Sequence, residues 1–268
     1  MKIAFQGEHG AYSEIACKSF ESNCETIPCK TFKDVFDSVE NGKTEKGVIP
    51  VENSLTGDIF ENWDLLSKYD FFVSAELFLP INHCLIGNSE LGKITKIYSH
   101  PQALSQSEKF LSKINAEKIP VYDTAGAVMI VKERGRQDEA AVASELAATT
   151  YGMKIISRII PESENMTRFF LLSKDAATLG KNMKTSLIFA ADHKPGSLFR
   201  CLEGFAENKV NLTRITSRPM RSGKWKYIFY LDFLGGLQDE NVMLAMDTLR
   251  INTEFIKIIG CYPAAKEI

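Results

Sequence analysis

Gly47-Val48-Ile49-Pro50-Val51-Glu52-Asn53-Ser54-Leu55-Thr56-Gly57 starts as an apolar run and ends in uncharged hydrogen-bonding side chains with a single carboxylate. The apolar part reads as a strand, and the polar part marks where that strand hands over to a loop or helix. Asn165-Met166-Thr167-Arg168-Phe169 repeats the arrangement around one guanidinium, and Ser99-His100-Pro101-Gln102-Ala103-Leu104-Ser105-Gln106 supplies a third case. Such junctions make anion sites, because the first turn of a helix aims free N–H groups outward.

Working outward, short β-type runs recur at 3–6, 46–51, 71–79, 83–87, 97–99, 140–143 and 169–172, and amphipathic helical patterns lie between them at 13–20, 58–68, 101–114 and 125–133. That alternation predicts an α/β fold. The stretch 175–182 lacks periodicity and carries Gly180, so it is the expected linker, with the cut near Leu179. After it come strand 185–191, helix 197–208, strand 210–217, turn 220–224, strand 227–233, helix 239–250 and strand 255–261. The order β-α-β-β-α-β is that of a ferredoxin-like unit, with both helices on one face of a four-stranded antiparallel sheet.

Composition narrows the function classes. With 268 residues, 44% hydrophobic and 25% charged, the chain is an ordinary globular one of about two domains. A formal charge of -2 supplies no global basic field, which disfavours nucleic acid as a partner. The sequence opens on a strand rather than a secretory apolar stretch and has no run long enough to span a bilayer, so a cytoplasmic protein without a membrane partner is expected. Six cysteines form no C-x-x-C pair, and the four histidines show no zinc spacing; no metal site and no cofactor are expected, and the thiols are read as free.

Four predicted helices open with a hydroxyl residue, at Ser13, Ser54, Ser99 and Thr124. For each, N-capping is the plain reading, and Ser99 with Gln102 fits a capping box. Several such starts opening onto one cleft would instead bind a carboxylate-bearing ligand with few cationic side chains. His100, beside Pro101, reads as a capping residue. Arg168 can clamp a carboxylate bidentately or form a surface ion pair with Glu162 or Glu164. Glu52 beside an anionic ligand must be protonated or turned toward backbone donors, which favours an orienting role.

The three stretches, together with Gly7-Glu8-His9-Gly10-Ala11-Tyr12-Ser13-Glu14 and Asp123-Thr124-Ala125-Gly126-Ala127, resemble the sites of prephenate dehydratases. The resemblance runs nearly end to end. It implies a two-lobed catalytic domain at 1–178, similar to a periplasmic binding protein, with one lobe from about 1–77 and 160–178 and the other from about 78–159. The ferredoxin-like unit at 179–268 would then be an ACT regulatory domain. The implied activity converts prephenate to phenylpyruvate with loss of carbon dioxide and water. Thr167 matches the catalytic threonine, a positioned donor to the departing hydroxyl. Asn53, Ser54, Ser99, Gln106, Thr124, Arg168, Phe169, Glu52, Tyr12 and Ser13 would contact substrate.

Gly196, Ser197 and Leu198, with Asn211, Leu212, Thr216, Ser217, Arg218 and Pro219, resemble the two motifs that hold L-phenylalanine as effector. Ser197 stands where Ala is usual and Thr216 where Glu is usual. A homodimer or homotetramer is implied as well. Two alternatives stay open: arogenate in place of prephenate as substrate, and a non-catalytic amino-acid sensor, which the threonine disfavours.

Overall fold

The computed structural model describes residues 1–219 and 227–265. In chain order the elements are β1 (Lys2–Gln6), α1 (Tyr12–Phe20), β2 (Glu25–Cys29), α2 (Phe32–Glu40), β3 (Lys46–Asn53), β4 (Gly57–Asp58), α3 (Phe60–Lys68), β5 (Phe72–Pro80), β6 (Cys84–Gly87), β7 (Lys96–Ser99), α4 (Pro101–Gln106), α5 (Glu108–Leu111) and β8 (Glu117–Pro120). They continue as α6 (Thr124–Arg134), β9 (Glu139–Ala143), α7 (Glu145–Tyr151), β10 (Lys154–Arg158), β11 (Met166–Ser173), β12 (Met183–Ala191), α8 (Ser197–Glu207), β13 (Leu212–Pro219), β14 (Tyr227–Leu234), α9 (Glu240–Ile251) and β15 (Thr253–Pro263). The α/β alternation expected from the sequence is present. The predicted turn at 220–224 lies outside the described residues.

Three sheets form. One has the order β2-β1-β3-β11-β5 with β4 on β3, the second β10-β6-β9-β7-β8, and the third β13-β14-β12-β15. β1 runs parallel to β2 and β3, and β7 runs parallel to β8 and β9, whereas β6 is antiparallel to β9 and β10. The parallel strands are buried and continuous in apolar character, as in Ile3, Ala4 and Phe5 or Val48 and Ile49, because helices cover both of their faces. The single helix expected at 101–114 is two short helices, α4 and α5, with Ser107 between them.

Contacts divide the chain into two compact units, Met1–Asn62 with Leu77–Phe169, and Trp63–Glu76 with Phe170–Ile268. The second unit holds the antiparallel β12–β15 sheet. Alternation sorts its side chains: Leu187, Phe189, Leu231 and Phe233 meet Cys201, Phe205, Val242, Met246 and Leu249 of α8 and α9. The opposite face takes Trp63, whose ring centroid is 5.1 Å from that of Tyr230 and 5.6 Å from that of Phe170, with the Arg214 guanidinium 4.2 Å from the indole centroid. Lys184 Nζ lies 3.1 Å from Glu76 Oε1, both buried. Sequence periodicity predicts only the helical covering; the second one comes from a segment more than a hundred residues earlier.

In the first unit, Gly10 adopts φ +93°, and a Cβ there would sit 2.6 Å from Ala147 Cα in α7. Its carbonyl accepts from Ser144 Oγ at 2.5 Å. Gly10→Ala therefore combines backbone strain with overpacking and should lower the unfolding free energy by about 2–4 kcal/mol in urea titration.

Candidate active site

A cavity of about 480 Å³ opens in the first unit, within the roughly 300–1,000 Å³ usual for small-molecule sites. β3 contributes Pro50 and Asn53, β11 contributes Thr167 and Phe169, and the start of α1 contributes Tyr12 and Ser13. His83, Gln106 and Thr124 complete the set. Seven residues expected at the site thus meet in one place: Tyr12, Ser13, Asn53, Gln106, Thr124, Thr167 and Phe169.

The pleat of the strands explains who is absent. Thr167 and Phe169 share one face of β11, so Arg168 between them projects to the other; on β3, Glu52 is absent from the lining that Pro50 and Asn53 join. Arg168 Nη1 lies 3.7 Å from Glu52 Oε2, and the guanidinium sits 6.0 Å from the Phe78 ring centroid. Arg168, only 2% exposed, is outside the cavity lining. Glu52 is likewise a partner of Arg168, not a lining residue, in keeping with its orienting reading.

Ser54 and Ser99 bond to backbone groups. Ser54 precedes a turn into β4, and its hydroxyl donates to Glu164 O and accepts from Met166 N, both at 3.0 Å, so it stitches the end of β3 to the segment entering β11. Ser99 ends β7 and donates to Val142 O at 2.6 Å. Neither lines the cavity.

None of the four hydroxyls is an N-cap. Ser13 and Thr124 lie inside the first turns of α1 and α6, whose caps are Ala11 and Asp123, and no capping box forms at Ser99 because His100 caps α4, its Nδ1 accepting from Gln102 N at 3.2 Å. The start of α2 also borders the cavity, through Thr31 and Phe32. Its capping box pairs Thr31 with Asp34, a Thr-x-x-Asp signal readable in the sequence but missed.

The floor is held by one carboxamide. Asn53 Nδ2 donates to Thr167 Oγ1 at 2.9 Å and to Asn165 Oδ1 at 2.8 Å, while Asn53 Oδ1 accepts from the backbone of Leu55 and Thr56, each at 3.1 Å. With its oxygen accepting from Asn53, the Thr167 hydroxyl keeps a proton to donate into the cavity.

Electrostatics are set by burial more than by charge. Desolvation holds the His83 imidazole below the ordinary histidine range, countered by its bond to Gln106. Burial also lowers His100 and raises Asp123, the latter against the N–H groups of Gly126 and Ala125 that favour its charged form. His83, Gln102, Lys30 and Asp123 line the cavity without having been singled out from the sequence as contacts. For His83 no local signal existed, since its partners are Tyr12 and Gln106. Among the described residues, no cluster of His, Cys, Asp or Glu could hold a metal ion. No described helix is long and apolar enough to cross a membrane.

The residues expected to hold an effector lie in the second unit and fall into two groups. Gly196, with φ +78°, caps α8, and Ser197 and Leu198 border a cavity of about 440 Å³ with Asp192, Lys194, Tyr227 and Phe229. Asn211, Leu212, Thr216, Ser217, Arg218 and Pro219 lie on or beside the edge strand β13 and do not border that cavity. Arg218 Nη1 instead pairs with Asp64 Oδ1 at 2.8 Å.

Mixed sheets with a polar-floored cavity among their helix starts, and a ferredoxin-like sheet in the C-terminal part, define an α/β protein with a small-molecule site. The family model for prephenate dehydratase matches residues 3–177. The Arabidopsis thaliana protein named arogenate dehydratase/prephenate dehydratase 2, chloroplastic, is 39% identical over 277 residues, covering 98% of this chain and 73% of that one. Among solved structures, one described as GqqA, a novel type of quorum-quenching acylase, aligns with a TM-score of 0.92 at 34% identity over 98% of each chain. The prephenate dehydratase of Arthrobacter aurescens in complex with L-Phe aligns with a TM-score of 0.90 at 26% identity, over 98% of this chain and 90% of that one. The chain belongs to the prephenate dehydratase family.

Two predictions test this geometry. Because His83 is depressed below its unfolded value of about 6.5, its contribution to stability is full above that pH and is lost as the pH falls toward the folded value. Urea unfolding should therefore show His83→Gln less damaging, relative to the parent, at pH 5 than at pH 8. Arg168→Lys should reduce stability by about 1–3 kcal/mol through the buried contacts to Glu52 and Phe78 and change KM little; a large KM rise at unchanged stability would restore the clamp.

Proposed function

We propose that the chain is a prephenate dehydratase, converting prephenate to phenylpyruvate, with residues 1–178 catalytic and 179–268 an ACT-type regulatory domain responding to L-phenylalanine. The single observation that carries the reaction is Thr167: buried, on the cavity wall, its oxygen accepting from Asn53 so that its proton is left to donate.

In the reaction the ring carboxylate leaves as carbon dioxide, and its bonding electrons move into the ring. The C4 hydroxyl departs with the pair from its C–O bond and takes one proton to become water. Thr167 donates a hydrogen bond to that departing oxygen, which counts because the charge there grows toward the transition state. A hydroxyl is a weak acid, so its role is to stabilise the leaving group. Carboxylates are bound by neutral donors, Gln106, Ser13 and Thr124, by the N-terminal turns of α1, α2 and α6, and by Lys30. Phe169 packs beside the ring.

One observation favours a second substrate. Asp123 is a buried carboxylate in the lining, and an ammonium in place of the keto group of the side chain would complement it. Arogenate carries that ammonium, and the Arabidopsis relative bears both substrate names.

Regulation by L-phenylalanine is supported by the cavity at the start of α8 and by the effector complex of the Arthrobacter relative. A homodimer or homotetramer is supported by exposed apolar side chains on the helical face, Phe199, Met243 and Leu244. A cytoplasmic location follows from the same reading.

Purified protein supplied with prephenate should form phenylpyruvate, at a rate altered by L-phenylalanine, and arogenate assayed beside it ranks the substrates. Absence of turnover with both would overturn the assignment and leave the sensor reading. Thr167→Ala should lower kcat about 10²-fold or more with little change in KM, as for a lost transition-state donor.

A further inference from the structure

Three carboxamides connect the cavity floor to a buried imidazole, and their polarity can be followed from one end. Leu55 and Thr56 aim backbone N–H groups at Asn53 Oδ1. A backbone N–H can only donate, so Asn53 presents its oxygen there and its NH2 to the other side. Asn53 Nδ2 then donates to Asn165 Oδ1, which turns Asn165 Nδ2 toward Gln106 Oε1, 3.0 Å away. That oxygen is also 3.0 Å from His83 Nε2. Since a carbonyl oxygen only accepts, the imidazole proton sits on Nε2. His83 Nδ1, left as an acceptor, faces Tyr12 Oη at 3.0 Å; the Tyr12 hydroxyl has one proton, so its donation to His83 competes with its 2.7 Å contact to Asn82 O.

Gln106 is where this polarity acts. Two donors, one from each sheet's side of the site, converge on its oxygen, so its NH2 is directed elsewhere, and its side chain lines the cavity. With only Asn165 holding it, the carboxamide could turn over and present its oxygen to an anionic ligand, exchanging attraction for repulsion. His83 is 7% exposed and packs edge-on against Tyr12 with centroids 5.6 Å apart, so its ring is fixed by contact as well as by hydrogen bonds. Burial keeps it neutral near neutral pH, which suits a donor that need not bring a charge.

We propose that His83 is a positioning residue whose Nε2–H, together with Asn165, locks the Gln106 carboxamide so that Gln106 Nε2 donates to a carboxylate of the bound substrate. This rests on the dehydratase reading for the identity of that substrate, but the tautomer and the lock do not.

The test combines kinetics on the full chain with a reading made without substrate. His83→Ala should raise KM for prephenate about tenfold with kcat within about threefold, the scale of one hydrogen bond to a charged group. Gln106→Ala should do the same, and the double variant should be no worse than Gln106→Ala alone, because one residue acts through the other. Gln places an amide N–H at the level of Nε2 and Asn at the level of Nδ1, so His83→Gln should recover most of the loss and His83→Asn should not. This pair also serves if His83→Ala fails to fold. Losses that add in the double variant, or equal impairment by Gln and Asn, would overturn the proposal. Imidazole ¹⁵N shifts of the ligand-free protein should report the Nε2-protonated tautomer; the Nδ1-protonated form would overturn it without reference to turnover. Parent protein inactive on both prephenate and arogenate, with the Nε2–H tautomer present, would instead sink the functional reading and leave the lock standing.

Discussion

The hydrogen bond from Asn53 Nδ2 to Thr167 Oγ1, 2.9 Å long and made between buried side chains 114 residues apart, is the constraint around which the site is arranged. Leaving either group unpaired in the interior would cost about 1–3 kcal/mol, so the end of β3 and the start of β11 must stay side by side. The same carboxamide closes the turn after β3 by accepting from Leu55 and Thr56 and reaches Asn165. One residue therefore fixes the backbone of the loop, the threonine, and the direction of the amide chain that runs to His83.

Strand pleating then divides charge from chemistry. Alternation on β11 places Thr167 and Phe169 in the cavity and sends Arg168 to the far side, where it pairs with Glu52. The Glu52–Arg168 pair lies outside the lining, where neutral donors outnumber the charged Lys30, Glu61 and Asp123. Helix starts add partial positive charge without desolvating a full one, which suits a reaction whose substrate is doubly negative and loses one carboxylate. A buried guanidinium in the cavity would hold that carboxylate and oppose its departure as a neutral gas.

The second unit shows a related economy. Its sheet is buried on both faces, by α8 and α9 on one and by the Trp63–Glu76 segment with Phe170 on the other. The nine consecutive buried residues of β12 reflect this, since a strand of a two-layer unit would alternate. Met183 to Ala191 includes Lys184, Thr185 and Ser186, whose burial is made tolerable by Glu76, Gly235 O and Tyr262. Composition reads 175–182 as a linker, whereas the two compact units divide between Phe169 and Phe170. Composition says nothing of an earlier segment packing in the same unit.

Local pattern was enough for the α/β rhythm, for the β-α-β-β-α-β order, and for the motifs that hold Asn53, Gln106, Thr124 and Thr167, because period, turn chemistry and residue type act over a few neighbours. It did not reach the side-chain partners of Ser54, Ser99 and Arg168, which lie on segments distant in the chain. A hydroxyl at a strand end can serve a helix, a backbone carbonyl or a ligand, and only the element packed beside it decides which. His83 shows the limit from the other side: nothing near it in the chain marks it, and its role comes from Tyr12 and Gln106, 71 and 23 residues away. The sequence by itself determined which elements form and which residue types stand at their ends. Tertiary structure alone decided which of those ends face one another, because hydrogen bonds between distant segments are chosen by packing rather than by neighbours in the chain.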